Sequence, residues 1–172
     1  MFVLELTIRT MKHSDSKAVK HIAETTWHAT YEGIIPEEIQ NNFLRMAYNE
    51  SRLKSRMERS LVYVALVDDT IVGFANYVHL KNAGEVELSA IYLLPKVQGE
   101  GIGTALLNHG IREIVDMRYV YINVERDNEI GTRFYEAKGF TVVDEFIENF
   151  DGHDLQTVRM VLDISPRKKA VE

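Results

Sequence analysis

From Leu88 to Thr104 the chain reads LSAIYLLPKVQGEGIGT, an apolar strand-like run followed by a proline and a glycine-rich turn. Gly99, Gly101 and Gly103 fall where the apolar spacing changes to that of a helix. Glycines let the backbone close around an anion there, and the unpaired N–H groups of a helix N-terminus attract phosphate. The stretch therefore predicts a strand–turn–helix unit that binds a phosphorylated ligand, with an unliganded glycine-rich loop as the plainer alternative.

Two other phosphate-binding patterns fit this turn poorly. A nucleoside-triphosphate loop requires Gly-Lys-Ser/Thr, which does not follow here. The dinucleotide fingerprint is closer, because Gly99-x-Gly101 precedes a helix and Glu125 ends the next strand, but Thr104 stands at the third glycine position. A dinucleotide-dependent oxidoreductase is therefore a distant alternative.

Apolar periodicity on both sides of this unit predicts a single α/β domain over residues 1–165. Helices are expected after Ser14 and Asp15, from Pro36, after the glycine-rich turn 98–103 with apolar positions from Ala105 to Val115, and over 128–138, and Asn49 is suited to cap a further one. The element order is β-α-α-β-β-β-α-β-α-β-β, with one βαβ crossover in its middle. Residues 166–172 read as a flexible tail. Strands are expected at 2–8, 61–67, 71–78, 86–94, 119–124, 140–150 and 155–164.

Composition narrows the functional classes. Of 172 residues, 45% are apolar, which is enough for a sizeable core, and the net charge of −6 argues against a nucleic-acid partner. The chain has no cysteine, which excludes disulfides, cysteine-ligated metals and thiol nucleophiles. No secretory signal or apolar run of membrane-spanning length is visible, and the six histidines form no metal-ligand pattern. We expect a cytoplasmic protein with no membrane partner and no metal.

Two motifs together resemble a known family. Segment 98–103, QGEGIG, resembles the Q/R-x-x-G-x-G/A motif of GNAT-superfamily N-acetyltransferases, and 128–140, NEIGTRFYEAKGF, resembles their N-x-x-A-x-x-F-Y-x-x-x-G-F pattern, with Gly131 in place of Ala. The resemblance implies a mixed, mostly antiparallel central sheet with a central βαβ unit and helices on both faces. It also implies acetyl-coenzyme A as co-substrate.

The resemblance also implies where this co-substrate lies. Its pantetheine arm would enter between two splayed parallel strands and bond the backbone of Ile91, Tyr92 and Leu93. Asn128 and Tyr135 would contact it from the following helix. The backbone N–H groups that would bind its pyrophosphate belong to Gln98, Gly99, Glu100, Gly101, Ile102, Gly103 and Thr104.

Catalytic groups are assigned from the same resemblance and from their chemistry. Tyr135 is the candidate acid, because a phenol keeps its proton at neutral pH and can pass it to the departing sulfur. Glu87 is the candidate base, with Glu85 as its rival. The alternative for both residues is that they are solvated carboxylates at the end of a strand, without a catalytic role. Without cysteine, the amine is expected to attack directly in a ternary complex. A non-catalytic acyl-coenzyme A-binding regulator of the same fold is the second functional hypothesis.

The acceptor is expected to be a small amine. Trp27, Tyr31 and Glu32 fall in a W-x-x-x-Y-x-G-x-x-P pattern that resembles bacterial members near the polyamine-acetylating branch, although Trp27 and Tyr31 are also spaced as a core stripe. Acidic residues of the last hairpin (144–154) and Glu32 favour a cationic acceptor, or are simply solvated. The long C-terminal strands of this family also suggest a homodimer.

Overall fold

A computed structural model describes residues 5–171 as a sheet flanked by helices. Short 3₁₀ turns precede α1 (His13–Asp15) and follow β4 (Pro95–Val97). In chain order the elements are β1 (Leu6–Thr10), α1 (Ser16–Tyr31), α2 (Glu37–Ala47), α3 (Glu50–Arg59), β2 (Leu61–Val67), β3 (Thr70–His79), β4 (Glu85–Leu93), α4 (Ile102–Glu113), β5 (Tyr119–Glu125), α5 (Glu129–Ala137), β6 (Thr141–Phe150), β7 (His153–Asp163) and α6 (Ser165–Val171).

The seven strands form one sheet in the order β1-β2-β3-β4-β5-β7-β6. Neighbouring strands are antiparallel except β4 and β5, which are parallel and are joined by α4. A parallel pair needs such a crossover, whereas the antiparallel pairs β2–β3 and β6–β7 close through short turns. The predicted mixed, mostly antiparallel sheet with a central βαβ unit is confirmed.

Helices cover both faces of the sheet, as predicted. Alternate residues of β3 point to opposite faces. Phe74 meets Tyr48, the residue after α2, with ring centroids 6.0 Å apart. On the other face the Tyr77 hydroxyl lies 3.3 Å and 3.2 Å from the carbonyl oxygens of Leu106 and Leu107 in α4. All five residues are at least nine-tenths buried, so the core lies on both sides of the central strands.

The third helix forms as the capping pattern suggests. Asn49 Oδ1 accepts a hydrogen bond of 2.9 Å from the backbone N–H of Arg52, which satisfies one otherwise unpaired donor at the start of α3. Within residues 5–171, none of the helices combines the length and the apolar composition that crossing a bilayer needs.

The two ends of the chain differ from the sequence prediction. The opening strand runs to Thr10 instead of residue 8, and residues 2–4 of the predicted strand lie outside the described residues. The tail predicted to be flexible is helical over Ser165–Val171, while residue 172 lies outside the described part. The Lys168 ammonium group donates a bond of 2.9 Å to the carbonyl oxygen of Ile114 and so joins α6 to the end of α4. The sequence gives no sign of this long-range bond.

Candidate active site

The sheet opens between β4 and β5. Their parallel pairing comprises three residue pairs and ends at Glu87 with Tyr121, whereas β5 stays paired with β7 as far as Glu125. Backbone groups of residues 88–93 that face β5 therefore have no strand partner there. Polar backbone groups need hydrogen bonds, so this edge of β4 can bind an extended ligand as a strand would.

A cleft of about 540 Å³ lies at this opening and brings together most of the predicted site residues. Its walls are the second half of α1, the unpaired part of β4, the start of α4 and the first half of α5. The predicted residues that line it are Trp27, Tyr31, Ile91, Tyr92, Leu93, Gln98, Gly99, Gly103, Asn128 and Tyr135.

Four residues of the glycine-rich turn do not line this cleft: Glu100, Gly101, Ile102 and Thr104. They nevertheless form the N-terminus of α4 beside it. Gly101 is the N-cap with φ of +84°, a left-handed conformation that favours glycine, and no side chain caps the helix. The first N–H groups of α4 are thus left without a side-chain acceptor, which is the arrangement expected of an anion site.

Asn128 caps α5, because its Oδ1 accepts a bond of 3.0 Å from the backbone N–H of Gly131. The glycine at 131, where the family pattern has alanine, fits this cap closely. A Cβ atom there would lie 2.7 Å from Asn128 Nδ2. An alanine at this position would therefore require the capping side chain to shift.

Tyr135 lies between two aromatic neighbours at the cleft. Its ring centroid is 5.4 Å from that of Phe134 and 5.3 Å from that of Phe140, and the residue is 9% exposed. Burial, with a smaller effect of Tyr92, raises the pKa of the Tyr135 phenol above its usual value. The hydroxyl has no hydrogen-bond partner among residues 5–171. It is protonated at neutral pH and able to donate to a ligand.

Side chains of α1 form the wall of the cleft opposite α5 and bond to β4. Trp27 Nε1 donates to the Tyr92 hydroxyl at 2.9 Å, and Thr26 Oγ1 donates to the carbonyl oxygen of Leu93 at 3.1 Å. The Tyr31 ring stands 4.6 Å from that of Trp27, and burial raises the pKa of the Tyr31 phenol. Trp27 belongs to the hydrophobic core, since it is 6% exposed, and it also lines the cleft.

The two candidate bases lie outside the lining of the cleft. Glu87 Oε1 forms an ion pair of 2.8 Å with Arg159 Nη1, which also donates to Asn123 Oδ1 at 2.8 Å. Glu85 Oε1 accepts from the Tyr121 hydroxyl at 3.3 Å. Both carboxylates are thus engaged by neighbours on the sheet, and the role of Glu87 as base stays a prediction.

A buried carboxylate at the end of β5 has no part in the two GNAT-like motifs. Glu125 is 7% exposed, and its Oε2 accepts a bond of 2.6 Å from the backbone N–H of Asp127. Burial raises the pKa of Glu125. Polar cleft residues that were not predicted from the sequence are Thr26, Thr30, Ser89, Asn123, Asp127 and Glu129. All but Asn123 lie next to, or two residues from, a predicted site residue, which is their only sequence signal.

Glu32, predicted to contact the acceptor, lies in a different cavity of about 780 Å³. This cavity is bounded by the end of α1, the start of α2 and His153 at the β6–β7 turn, and Ala29 lines both it and the cleft. Within the described part of the chain, no three or more His, Cys, Asp or Glu side chains come together as a group that could hold a metal ion.

Comparison with known proteins agrees with this architecture. A spermidine N(1)-acetyltransferase of Thermoplasma acidophilum is 29% identical over 160 residues, which cover 88% of this chain and 94% of that protein. The crystal structure of the PaiA N-acetyltransferase of Thermoplasma acidophilum in complex with coenzyme A has a TM-score of 0.78 at 28% identity, and covers 92% of this chain and 99% of that one.

A more distant structure shares the fold alone. The ribosomal-protein-S18-alanine N-acetyltransferase of Escherichia coli has a TM-score of 0.70 at 23% identity, over 94% of this chain and 95% of that one. The model of the acetyltransferase (GNAT) family matches residues 19–140, which include both motifs. The sequence-based assignment is confirmed: this chain belongs to the GNAT family of acetyltransferases.

Proposed function

We propose that residues 1–165 act as one domain that transfers the acetyl group of acetyl-coenzyme A to a primary amine. The carrying observation is the opening between β4 and β5, where an unpaired strand edge meets the uncapped N-terminus of α4. The similar PaiA structure contains coenzyme A, and the similar curated protein is named for spermidine, a polyamine. Both support the proposal.

The residues present suit such a co-substrate. Backbone groups near Ile91, Tyr92 and Leu93 have no strand partner on the β5 side, and those still free can bond an extended amide-containing arm in the manner of an added strand. The N–H groups at the start of α4, from Gln98 to Thr104, can bond a pyrophosphate, and the positive end of the helix dipole favours its charge. When bound, acetyl-coenzyme A supplies an activated acyl group in its thioester.

Tyr135 acts as the proton donor in this proposal. Its raised pKa keeps the phenol protonated at neutral pH. A thiol has a pKa near 8.5, so complete transfer from an ordinary phenol to a thiolate is uphill by about 1.5 units, or about 2 kcal/mol, and burial adds to this. Donation of a hydrogen bond as negative charge develops on sulfur is therefore the main effect, with the proton following late.

Glu87 remains the proposed base. Its Oε1 is held by Arg159 at 2.8 Å, so it would act on the amine through a water molecule at the other oxygen. Trp27 and Tyr31 are proposed to line the side of the cleft on which the acceptor enters. The amine then attacks directly, without a covalent acyl-enzyme.

A thiol-release assay with a panel of polyamines, amino acids and peptides tests the proposal. We expect release with at least one amine, and a fall in kcat of about 100-fold in Tyr135→Phe with cofactor affinity little changed. Tyr119→Phe, an exposed strand residue outside the cleft, is the matched control. Coenzyme A binding without release for any amine would instead support a non-catalytic regulator.

A further inference from the structure

The cavity of about 780 Å³ that contains Glu32, here called the second cavity, is a neighbour of the cleft. Ala29 lines both, on the last two turns of α1. An extended molecule that passes this small side chain would have one end in the cleft and the other in the second cavity. The polar groups that line the second cavity indicate what the far end of such a molecule must carry.

Gln40, on α2, presents an unpaired acceptor. Its Nε2 donates to the carbonyl oxygens of Tyr31 at 3.2 Å and Ile35 at 2.8 Å. Both partners are acceptors, so the amide orientation is fixed with Oε1 on the other side. Gln40 is 2% exposed, and its Oε1 has no hydrogen-bond partner within residues 5–171. A buried acceptor without a partner is unfavourable, and a ligand N–H group would relieve this.

Two histidines add further acceptors. His153 Nε2 lies 3.0 Å from the carbonyl oxygen of Ile34, to which only a protonated ring nitrogen can bond. His28 Nε2 lies 2.8 Å from Asn41 Oδ1 and donates to it in the same way. In a neutral imidazole the other nitrogen, Nδ1, is then an acceptor. Both rings line the second cavity and can accept from a ligand.

The charge of the second cavity favours a cation. Glu32 and Glu37 contribute two carboxylates, and no Lys or Arg is among its lining residues in the described chain. The N-terminus of α2 opposes them with about half a positive charge. The two carboxylates of Glu32 and Glu37 outweigh this half charge. The lining as a whole therefore offers acceptors and negative charge to a ligand that is rich in donors and positively charged.

We propose that the second cavity binds a second ammonium group of the acceptor, so that diamines and polyamines are preferred to monoamines. The inference rests on the proposed acetyl transfer in the cleft. The reacting amine enters the cleft beside Tyr31, and the distal ammonium group passes Ala29 to reach the carboxylates of Glu32 and Glu37. Gln40, whose buried Oε1 lacks a partner among the described residues, lies in the cavity wall at the same end.

Matched pairs of acceptors test this proposal. Putrescine with butylamine, and cadaverine with pentylamine, differ only in the terminal ammonium group. We expect kcat/KM to be higher for the diamine of each pair. Glu32→Gln and Glu37→Gln should each lower the diamine-to-monoamine ratio by about fivefold, the upper range for an exposed ion pair. Glu38→Gln, on the same helix but outside the second cavity, should leave the ratio unchanged.

Equilibrium binding of spermidine to the full chain separates this inference from the proposed transfer. If spermidine binds and Glu32→Gln and Glu37→Gln weaken its binding, the cation site is supported even when no amine is acetylated. In that case only the transfer proposal fails. Equal kcat/KM for diamines and monoamines, or ratios lowered no more by Glu32→Gln and Glu37→Gln than by Glu38→Gln, would overturn the cation site and leave the transfer proposal standing.

Discussion

Substitution of Gly101 tests whether a pyrophosphate binds at the N-terminus of α4. Gly101 has a φ of +84°, and no atom lies within 4 Å of the position of a Cβ atom, so a side chain fits without a clash. Gly101→Asp adds a negative charge at this N-cap, and Gly101→Asn adds a side chain of nearly the same shape without charge. Asp and Asn both tolerate the left-handed region, so backbone strain largely cancels between the two variants.

The difference between the variants can be estimated from Coulomb's law. A carboxylate at this cap would lie about 6 Å from a phosphate bound at the first N–H groups, and two charges at that distance in water interact by about 0.7 kcal/mol. A pyrophosphate carries about two charges, which gives about 1.4 kcal/mol, or a tenfold change in Kd. A lower local dielectric constant at the protein surface would increase this value.

Titration calorimetry with coenzyme A measures both variants, after circular dichroism has shown that they are folded. We expect Gly101→Asp to bind about tenfold more weakly than Gly101→Asn at low salt. The difference in Kd between the two variants should almost disappear at 1 M salt, where the Debye length falls to about 3 Å. Equal affinities of the two folded variants at low salt would refute a pyrophosphate site at this turn.

Three further predictions concern stability and the base. Hydrogen bonding to Arg9 lowers the pKa of Asp15, so the stability gained from this pair is present above about pH 4 and lost as the pH falls further. Asp15→Asn should lower the free energy of unfolding by about 2 kcal/mol at pH 7, and urea denaturation should show a smaller difference near pH 3. A difference that does not depend on pH would contradict the assignment. Gly110→Ala would press a methyl group against the Tyr77 ring and should lower the free energy of unfolding by about 1–3 kcal/mol in thermal melts; an unchanged Tm would show that the ring can move aside. Glu87→Gln should remove the acidic limb of the pH–rate profile, and an unchanged limb would mean that this carboxylate serves only its ion pair.

Local signals explain why the fold could be predicted. The strand, glycine turn and helix around residues 88–104 depend on interactions between neighbours along the chain, as does the Asp151-Gly152 turn between β6 and β7. Asn49 and Asn128 each cap a helix through a bond to the residue three positions on. Such interactions leave a pattern in residue type and spacing that can be read without knowing the tertiary structure.

The site was predicted less completely because its decisive contacts join distant segments. Glu87 and Arg159 are 72 positions apart, and nothing in either local sequence indicates that they pair. The orphan acceptor on Gln40 has the same origin, since it depends on the positions of two carbonyl groups after the chain turns from α1 into α2. Residue type makes Glu87 a candidate base, but only the tertiary fold determines which of its atoms are already engaged by a neighbour.

The opening between β4 and β5 also needs support that a strand ladder would otherwise give. Beyond Glu87, β4 has β3 on one edge only, so the other edge would be free to move or to pair wrongly. Hydrogen bonds from Trp27 to Tyr92 and from Thr26 to Leu93 attach α1 to this part of the strand. Because α1 ends beside both cavities, the helix that fixes the strand edge also positions the residues proposed to meet the acceptor. In the proposed reaction, one element would therefore set both the position of the thioester and the position of the amine, which is what direct transfer between two bound molecules requires.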